Sequence, residues 1–180
     1  MRIVSGKLKG RRFSPPASFH ARPTTDQARE NLFNILNNLI DFEGQQVLDL
    51  FGGTGAISYE FASRGVGNIT CVEKNYAHYR FIRQTIESFG IGSQVKVVKA
   101  DVLKFLKKIP QQYTLIFADP PFDLPQLSQI PGIIMNSGIL NNEGFFILEH
   151  GPDYNFEDFP FHYQTRHYGK VNFSIFSACL

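Results

Sequence analysis

Two short segments combine residue types that suit chemistry. The first, Asp49-Leu50-Phe51-Gly52-Gly53-Thr54-Gly55, follows an apolar run and packs three glycines into four residues. Glycine lets a backbone turn sharply and approach a ligand closely. An acid, Glu73, stands 18 residues beyond Gly55, at the end of the next apolar run. An acid so placed can hold two ribose hydroxyls of a nucleoside-bearing cofactor. The second segment, Asp119-Pro120-Pro121-Phe122, also follows an apolar run. Two consecutive prolines stiffen the chain and remove two N–H donors. The Asp119 carboxylate and the Pro120 carbonyl are left as clustered acceptors beside an aromatic ring. Acceptors next to a stacking face suit a flat amine. Each segment alone also reads as a tight strand-to-helix turn; their coexistence at the ends of the first and fourth strands favours the chemical reading.

The glycine turn discriminates between cofactors. Position 58 is Ser, so G-x-G-x-x-G is incomplete, and no Gly-Lys-Ser/Thr is present for a P-loop. A dinucleotide brings a pyrophosphate to the helix start. Asp49 beside the turn would repel phosphate and welcome an ammonium. S-adenosylmethionine, with an amino group, a sulfonium and no phosphate, fits better.

These segments need a scaffold, and the patterning supplies one. Short apolar runs at 47–51, 69–72, 95–98, 113–118 and 145–149 alternate with helical spacing at 56–63, 76–89, 102–109 and 127–137. That alternation predicts a parallel sheet covered on both faces. A further helix begins at Thr24-Thr25-Asp26, with apolar residues at Ala28, Leu32, Phe33, Ile35, Leu36 and Leu39. The tail departs from the alternation: 162–168 and 171–178 flank Gly169-Lys170, a hairpin that predicts an antiparallel edge. The opening, residues 2–13, reads as a short basic hairpin, and Pro15, Pro16 and Pro23 mark an extended linker.

Composition bounds the rest. The 180 residues suit one domain, with 43% apolar and 19% charged residues. No stretch approaches a membrane span, and the N-terminus lacks the apolar core of a secretory signal. Cys71 and Cys179 form no metal or disulfide framework, which points to a reducing cytoplasm. The five histidines are scattered, so no metal is expected. The net charge of +2 hides an asymmetry: residues 1–25 hold six bases and no acid, whereas the other 155 hold 12 bases and 16 acids. A basic arm on an acidic body suggests a polyanion touched at one end. Arg2, Lys7, Lys9, Arg11 and Arg12 are the candidate contacts to it. Phe13 and Phe19 on the same arm either stack on bases or anchor the arm.

Together, residues 49–55, Glu73, Asp101 and 119–122 resemble the class I S-adenosylmethionine-dependent methyltransferases that act on exocyclic amines through Asp/Asn-Pro-Pro-aromatic motifs. Arg2-Ile3-Val4-Ser5-Gly6, Lys9-Gly10-Arg11 and the run from Arg22-Pro23-Thr24-Thr25-Asp26 to Phe33 narrow this to the RsmD family, bacterial 16S ribosomal RNA guanine-N2 methyltransferases. The resemblance spans residues 2 to about 178, with Lys170 and Glu149-His150 departing from the family pattern. It implies a Rossmann-like α/β fold with a seven-stranded, mostly parallel sheet in the order 3-2-1-4-5-7-6. It divides the chain into a basic N-terminal β-hairpin and linker (1–23) that contacts RNA and a methyltransferase domain (24–180).

By matching position, the resemblance implies that Asp49, Phe51, Gly52, Gly53 and Gly55 cradle the methionine part of the cofactor, and that Glu73 binds the ribose. Asp101 would accept from the adenine amine, and Asn75 and Val102 would line the adenine. Arg22, Thr24 and Thr25 would approach the methionine carboxylate. Asp119, Pro120 and Phe122 would be catalytic, with S-adenosylhomocysteine as product. The expected partner is 16S rRNA, free or in an assembling small subunit, and the expected state a cytoplasmic monomer without metal. Alternatives are an adenine-N6 or protein-glutamine methyltransferase, or an RNA-binding assembly factor without catalysis.

Overall fold

The computed structural model describes residues 1–19, 26–109 and 111–179. In chain order the elements are α1 (Asp26–Asn37), β1 (Gln46–Leu50), α2 (Ala56–Ser63), β2 (Asn68–Glu73), α3 (Tyr76–Phe89), β3 (Val95–Lys99), α4 (Val102–Leu106), β4 (Tyr113–Ala118), a 3₁₀ turn (Leu127–Gln129), α5 (Ile130–Met135), β5 (Leu140–His150), β6 (His162–Tyr168) and β7 (Val171–Ser177). The strands lie in the order β3-β2-β1-β4-β5-β7-β6. The first five run parallel; β7 is antiparallel to both β5 and β6. This is the order the resemblance implied.

Strand side chains alternate between two cores. Val47, Ile69 and Leu115 face a layer of α1, α2 and α3 with the N-terminal hairpin. Leu48, Ile116 and Leu148 face α4 and α5. Both faces are therefore apolar, and the strands carry near-continuous hydrophobic runs, as a doubly covered parallel sheet requires. Its strand carboxyl ends leave a crevice where β1 neighbours both β2 and β4, the usual ligand position in such sheets.

Several element boundaries differ from expectation, each for a local reason. The helix expected over 127–137 splits, because Pro131 has no N–H to give a helix begun at Leu127; α5 starts one residue before it. The fifth strand begins at Leu140 rather than 145, across a register irregularity between Tyr113 and Leu115. α4 ends at Leu106, three residues short of expectation.

The N-terminal hairpin is minimal, with one bridge pair, Arg2 and Arg12. What holds it is the body. Ile3 and Phe13 are buried, and Phe13 packs edge-on against Tyr59 and Phe89. Phe13 is an anchor, not a free stacking face. Phe19 lies on His78, with ring centroids 4.1 Å apart, and against Phe81. The carboxylate of Glu60, fully buried on α2, accepts from the backbone N–H of Val4 (2.8 Å) and Ser5 (2.9 Å) and from Arg64 (3.0 Å). At the hairpin tip, Lys7 N–H donates to Ser63 O and Leu8 N–H to Ser63 Oγ, at the carboxyl end of α2.

Glu60→Ala would leave two hairpin N–H groups and a guanidinium without their buried anion. Urea unfolding should show a loss of about 3–5 kcal/mol, with the hairpin cut early by protease at Lys7 and Lys9. A parent-like unfolding midpoint would show that the clamp contributes nothing.

Candidate active site

Two positions in the turn after β1 are closed to side chains. A Cβ at Gly52 would sit 2.4 Å from Cys71 Sγ, and one at Gly55 would sit 2.4 Å from the Tyr59 hydroxyl. Gly55 caps α2 with φ 80°. Phe51 adopts φ 63°, a left-handed conformation uncommon outside glycine, and so turns the chain before the glycines begin. The turn is tied to the next strand end. Glu73 Oε2 accepts from Gly53 N–H (2.8 Å), and Oε1 accepts from Asn75 N–H (2.6 Å). Asn75 Oδ1 in turn caps α3, accepting from Ala77 and His78 N–H.

Asp49 is buried and accepts from the Ser58 hydroxyl. Burial lifts its carboxyl to about 7, while hydrogen bonding to Ser58 pulls the other way. Asp101 is the N-cap of α4, accepting from Lys104 N–H, and pairs with Lys74 Nζ at 3.1 Å. The Lys74 hydrogen bond holds its carboxyl below the usual range.

The 119–122 loop leaves β4 at Ala118, which lies between Leu50 of β1 and Leu148 of β5. Asp119 N–H reaches Leu50 O at 3.4 Å. Pro120 is buried and Phe122 half-buried. The Phe122 ring lies over Gly151, where a Cβ would approach it to 3.1 Å. Tyr154 donates its hydroxyl to Phe122 O at 3.2 Å. His150 fixes the neighbouring end of β5. Its Nδ1 meets Gly151 O at 2.8 Å, and a carbonyl only accepts, so Nδ1 carries the proton. Nε2 then accepts from Ser174 Oγ at 2.8 Å. Burial lowers the pKa of His150 and keeps it neutral.

These parts open onto one cleft of about 1060 Å³. Asp49, Phe51, Gly52, Gly53, Glu73, Asn75, Asp101, Val102, Asp119, Pro120 and Phe122 all line it. Gly55 instead backs the turn against Tyr59. Arg22, Thr24 and Thr25 lie outside the described residues. Sequence reasoning missed Lys74, His78 and Glu149, which also line the cleft, and the supports Tyr154 and His150. Lys74 and His78 flank Glu73 and Asn75, a signal their neighbourhood offered. Nothing local in the sequence links Tyr154 to Phe122. Among the described residues no cluster of His, Cys, Asp or Glu has metal-ligand geometry.

The basic residues of the hairpin are placed unequally. Arg2 pairs with Asp26 at 3.1 Å. Arg11 donates to the carbonyls of Ser88 and Phe89 at the end of α3 and lies over the Phe89 ring. Lys7, Lys9 and Arg12 are exposed.

Asp49 makes stability depend on pH. The folded protein holds its proton up to about pH 7, whereas the unfolded chain releases it near pH 4. Its contribution to stability is therefore full below about pH 4 and lost as pH rises through 7. Asp49→Asn should melt higher than the parent at pH 8, with the gap closing toward pH 4. An equal gap at both values would assign the effect to packing.

Comparison with known proteins agrees with this architecture. The family model described as Conserved hypothetical protein 95 matches residues 1–177. The Ribosomal RNA small subunit methyltransferase D of Escherichia coli K12 is 32% identical over 149 residues, covering 83% of this chain and 74% of its own length. A Buchnera aphidicola protein of the same name is also 32% identical over 149 residues, covering 83% and 75%. Among solved structures, a hypothetical protein of Thermus thermophilus, 29% identical, superposes with a TM-score of 0.85 over 98% of this chain and 99% of that one. With this match along nearly its whole length, the chain belongs to the RsmD family of S-adenosylmethionine-dependent methyltransferases.

Proposed function

We propose that this protein transfers a methyl group from S-adenosylmethionine to the exocyclic N2 amine of a guanine in 16S ribosomal RNA. The observation that carries the reading is that the glycine turn, Glu73 and the 119–122 loop share one cleft. Ribosomal RNA of the small subunit is the substrate in the names of its relatives. Residues 1–23 act as the RNA-contact element and 24–180 as the methyltransferase domain. The enzyme works as a cytoplasmic monomer, on free RNA or on an assembling small subunit.

The cleft fits this cofactor. At Gly53, on the cleft, a Cβ would meet only Phe51 O, at 3.8 Å, which leaves room for close backbone approach. Asp49 meets the ammonium, Glu73 the ribose hydroxyls and Asp101 the adenine amine, with Asn75 and Val102 along the adenine. Arg22, Thr24 and Thr25, outside the described residues, are the proposed partners of the methionine carboxylate. When bound, S-adenosylmethionine supplies a methyl group activated on a sulfonium.

The chain's task is to make a poor nucleophile attack. The guanine N2 lone pair is delocalised into the ring. Asp119 and the Pro120 carbonyl accept its two N–H bonds, drawing nitrogen toward tetrahedral geometry and aiming the lone pair at the methyl carbon. Asp119 would take the proton that the amine gives up on methylation, with S-adenosylhomocysteine as the cofactor product. Positioning supplies much of the rate. Phe122 stacks on the base once it leaves its own stack. Tyr154, bonded to Phe122 O, keeps the loop in place.

Mass mapping of small-subunit RNA from cells with and without the gene should show one methylated guanine lost in its absence; unchanged RNA would overturn the reading. Asp119→Ala should slow transfer by about 10²–10⁴ while cofactor affinity, read by calorimetry, stays near the parent's. Parent-rate methylation would make the loop a structural turn. Replacing Lys7, Lys9 and Arg12 with Ala should weaken RNA binding and flatten its log–log salt dependence by about 0.7 per lost phosphate contact. Arg11 is left intact because it ties the hairpin to α3. A parent slope in the triple variant would remove the hairpin tip from the interface.

A further inference from the structure

The catalytic loop accounts for an amine but not for which base carries it. Guanine and adenine both present an exocyclic amine beside a ring N1. In guanine N1 bears a hydrogen; in adenine it bears a lone pair. Acceptors for the amine alone would take either base, so discrimination needs a group that reads N1.

The sheet register places one. β4 and β5 are parallel neighbours, with Phe117 opposite Ile147 and Ala118 opposite Leu148. Asp119 is the first residue beyond β4, and Glu149 is the residue of β5 that follows Leu148. Neighbouring strands lie about 4.8 Å apart, and the N1 and N2 atoms of guanine donate from adjacent positions on one edge. Both carboxylates line the same cleft. Glu149 is only 5% exposed, so a ligand meets it on the cleft wall and not in bulk water. Its backbone is fixed from the other side by β7, where Glu149 sits opposite Phe173. His150, the next residue, is held by Gly151 and Ser174. The carboxylate therefore stands on a rigid strand end beside the loop that takes the amine.

We propose that Glu149 is the specificity-determining residue: its carboxylate accepts the N1–H of guanine while the 119–122 loop takes the N2 amine. An anionic acceptor rewards N1–H and repels the N1 lone pair of adenine. A site built around a buried acceptor discriminates strongly against an analogue lacking the donor, because the acceptor is then left facing a lone pair. This rests on the guanine-N2 reading above and adds the residue that selects the base.

2-Aminopurine separates the two parts of the edge, because it keeps the exocyclic amine at C2 but has a lone pair at N1. Once the methylated guanine is mapped, RNA ligated with either base at that position can be compared by kcat/KM. The parent enzyme should prefer guanine by about 100-fold or more. Glu149→Gln, whose amide can turn to offer an N–H to the lone pair, should bring the two bases within about tenfold, mainly through loss on guanine, with cofactor affinity unchanged. Glu149→Ala should also narrow the ratio, and the isosteric Gln variant keeps the test valid if Ala unfolds the strand end. A ratio unchanged in the Gln variant, with guanine methylated by the parent, would overturn the inference alone. A parent enzyme that methylates RNA on adenine would overturn both this inference and the guanine reading.

Discussion

The bidentate grip of Glu73 on two backbone N–H groups is the interaction from which the site is assembled. A parallel sheet offers only strand ends and loops for binding, and loops wander unless something fixes them. Glu73 ends β2 yet bonds Gly53, in the turn after β1, and Asn75, at the head of α3. One carboxylate thus sets the spacing between two strand ends and uses charge-assisted bonds to do so. Asn75 passes the constraint onward by capping α3. The far wall is tied by another route: Tyr154 bonds the 119–122 loop at Phe122 O, and His150 bonds Gly151 and Ser174 at the β5 end. The cleft is rigid on both sides because two unrelated networks meet across β1 and β4.

Buried acids recur, and each has a different means of tolerating burial. Glu60 is matched by donors: two hairpin N–H groups and Arg64. Glu73 is matched mainly by backbone N–H groups. Asp49 has the Ser58 hydroxyl, and the imbalance shows as a carboxyl raised to about 7. In a folded protein such an imbalance costs stability unless a ligand relieves it. A cationic group bound beside Asp49 would relieve it.

Much of this was legible in the residues. The strand-helix alternation, the C-terminal hairpin and the boundaries of α2, α3, β4 and β6 follow from apolar spacing and turn residues. The glycine turn and the 119–122 loop were recognisable because their chemistry is contiguous. What escaped notice was non-contiguous. Tyr154 reaches Phe122 across 32 positions, and Glu149 joins Asp119 only through register. Periodicity reports which face a residue takes, not which neighbour it meets. The splitting of the helix near Pro131 was visible in principle, because proline cannot give the N–H that a longer helix demands. The anchoring role of Phe13 and the ties of Arg11 depended on knowing that the hairpin lies along α2 and α3.

The position of the hairpin tip has a geometric corollary. The tip is bonded at Ser63, whereas the glycine turn begins α2 at its opposite end. Eight helical residues separate the two, about 12 Å of axial rise. A polyanion that touches Lys7 or Lys9 and also feeds a base into the cleft must bridge that gap along the molecule's side. If the hairpin tip is an RNA contact, tip and cleft form the two jaws of a caliper: a single nucleotide would occupy one jaw, and only a longer strand would reach both.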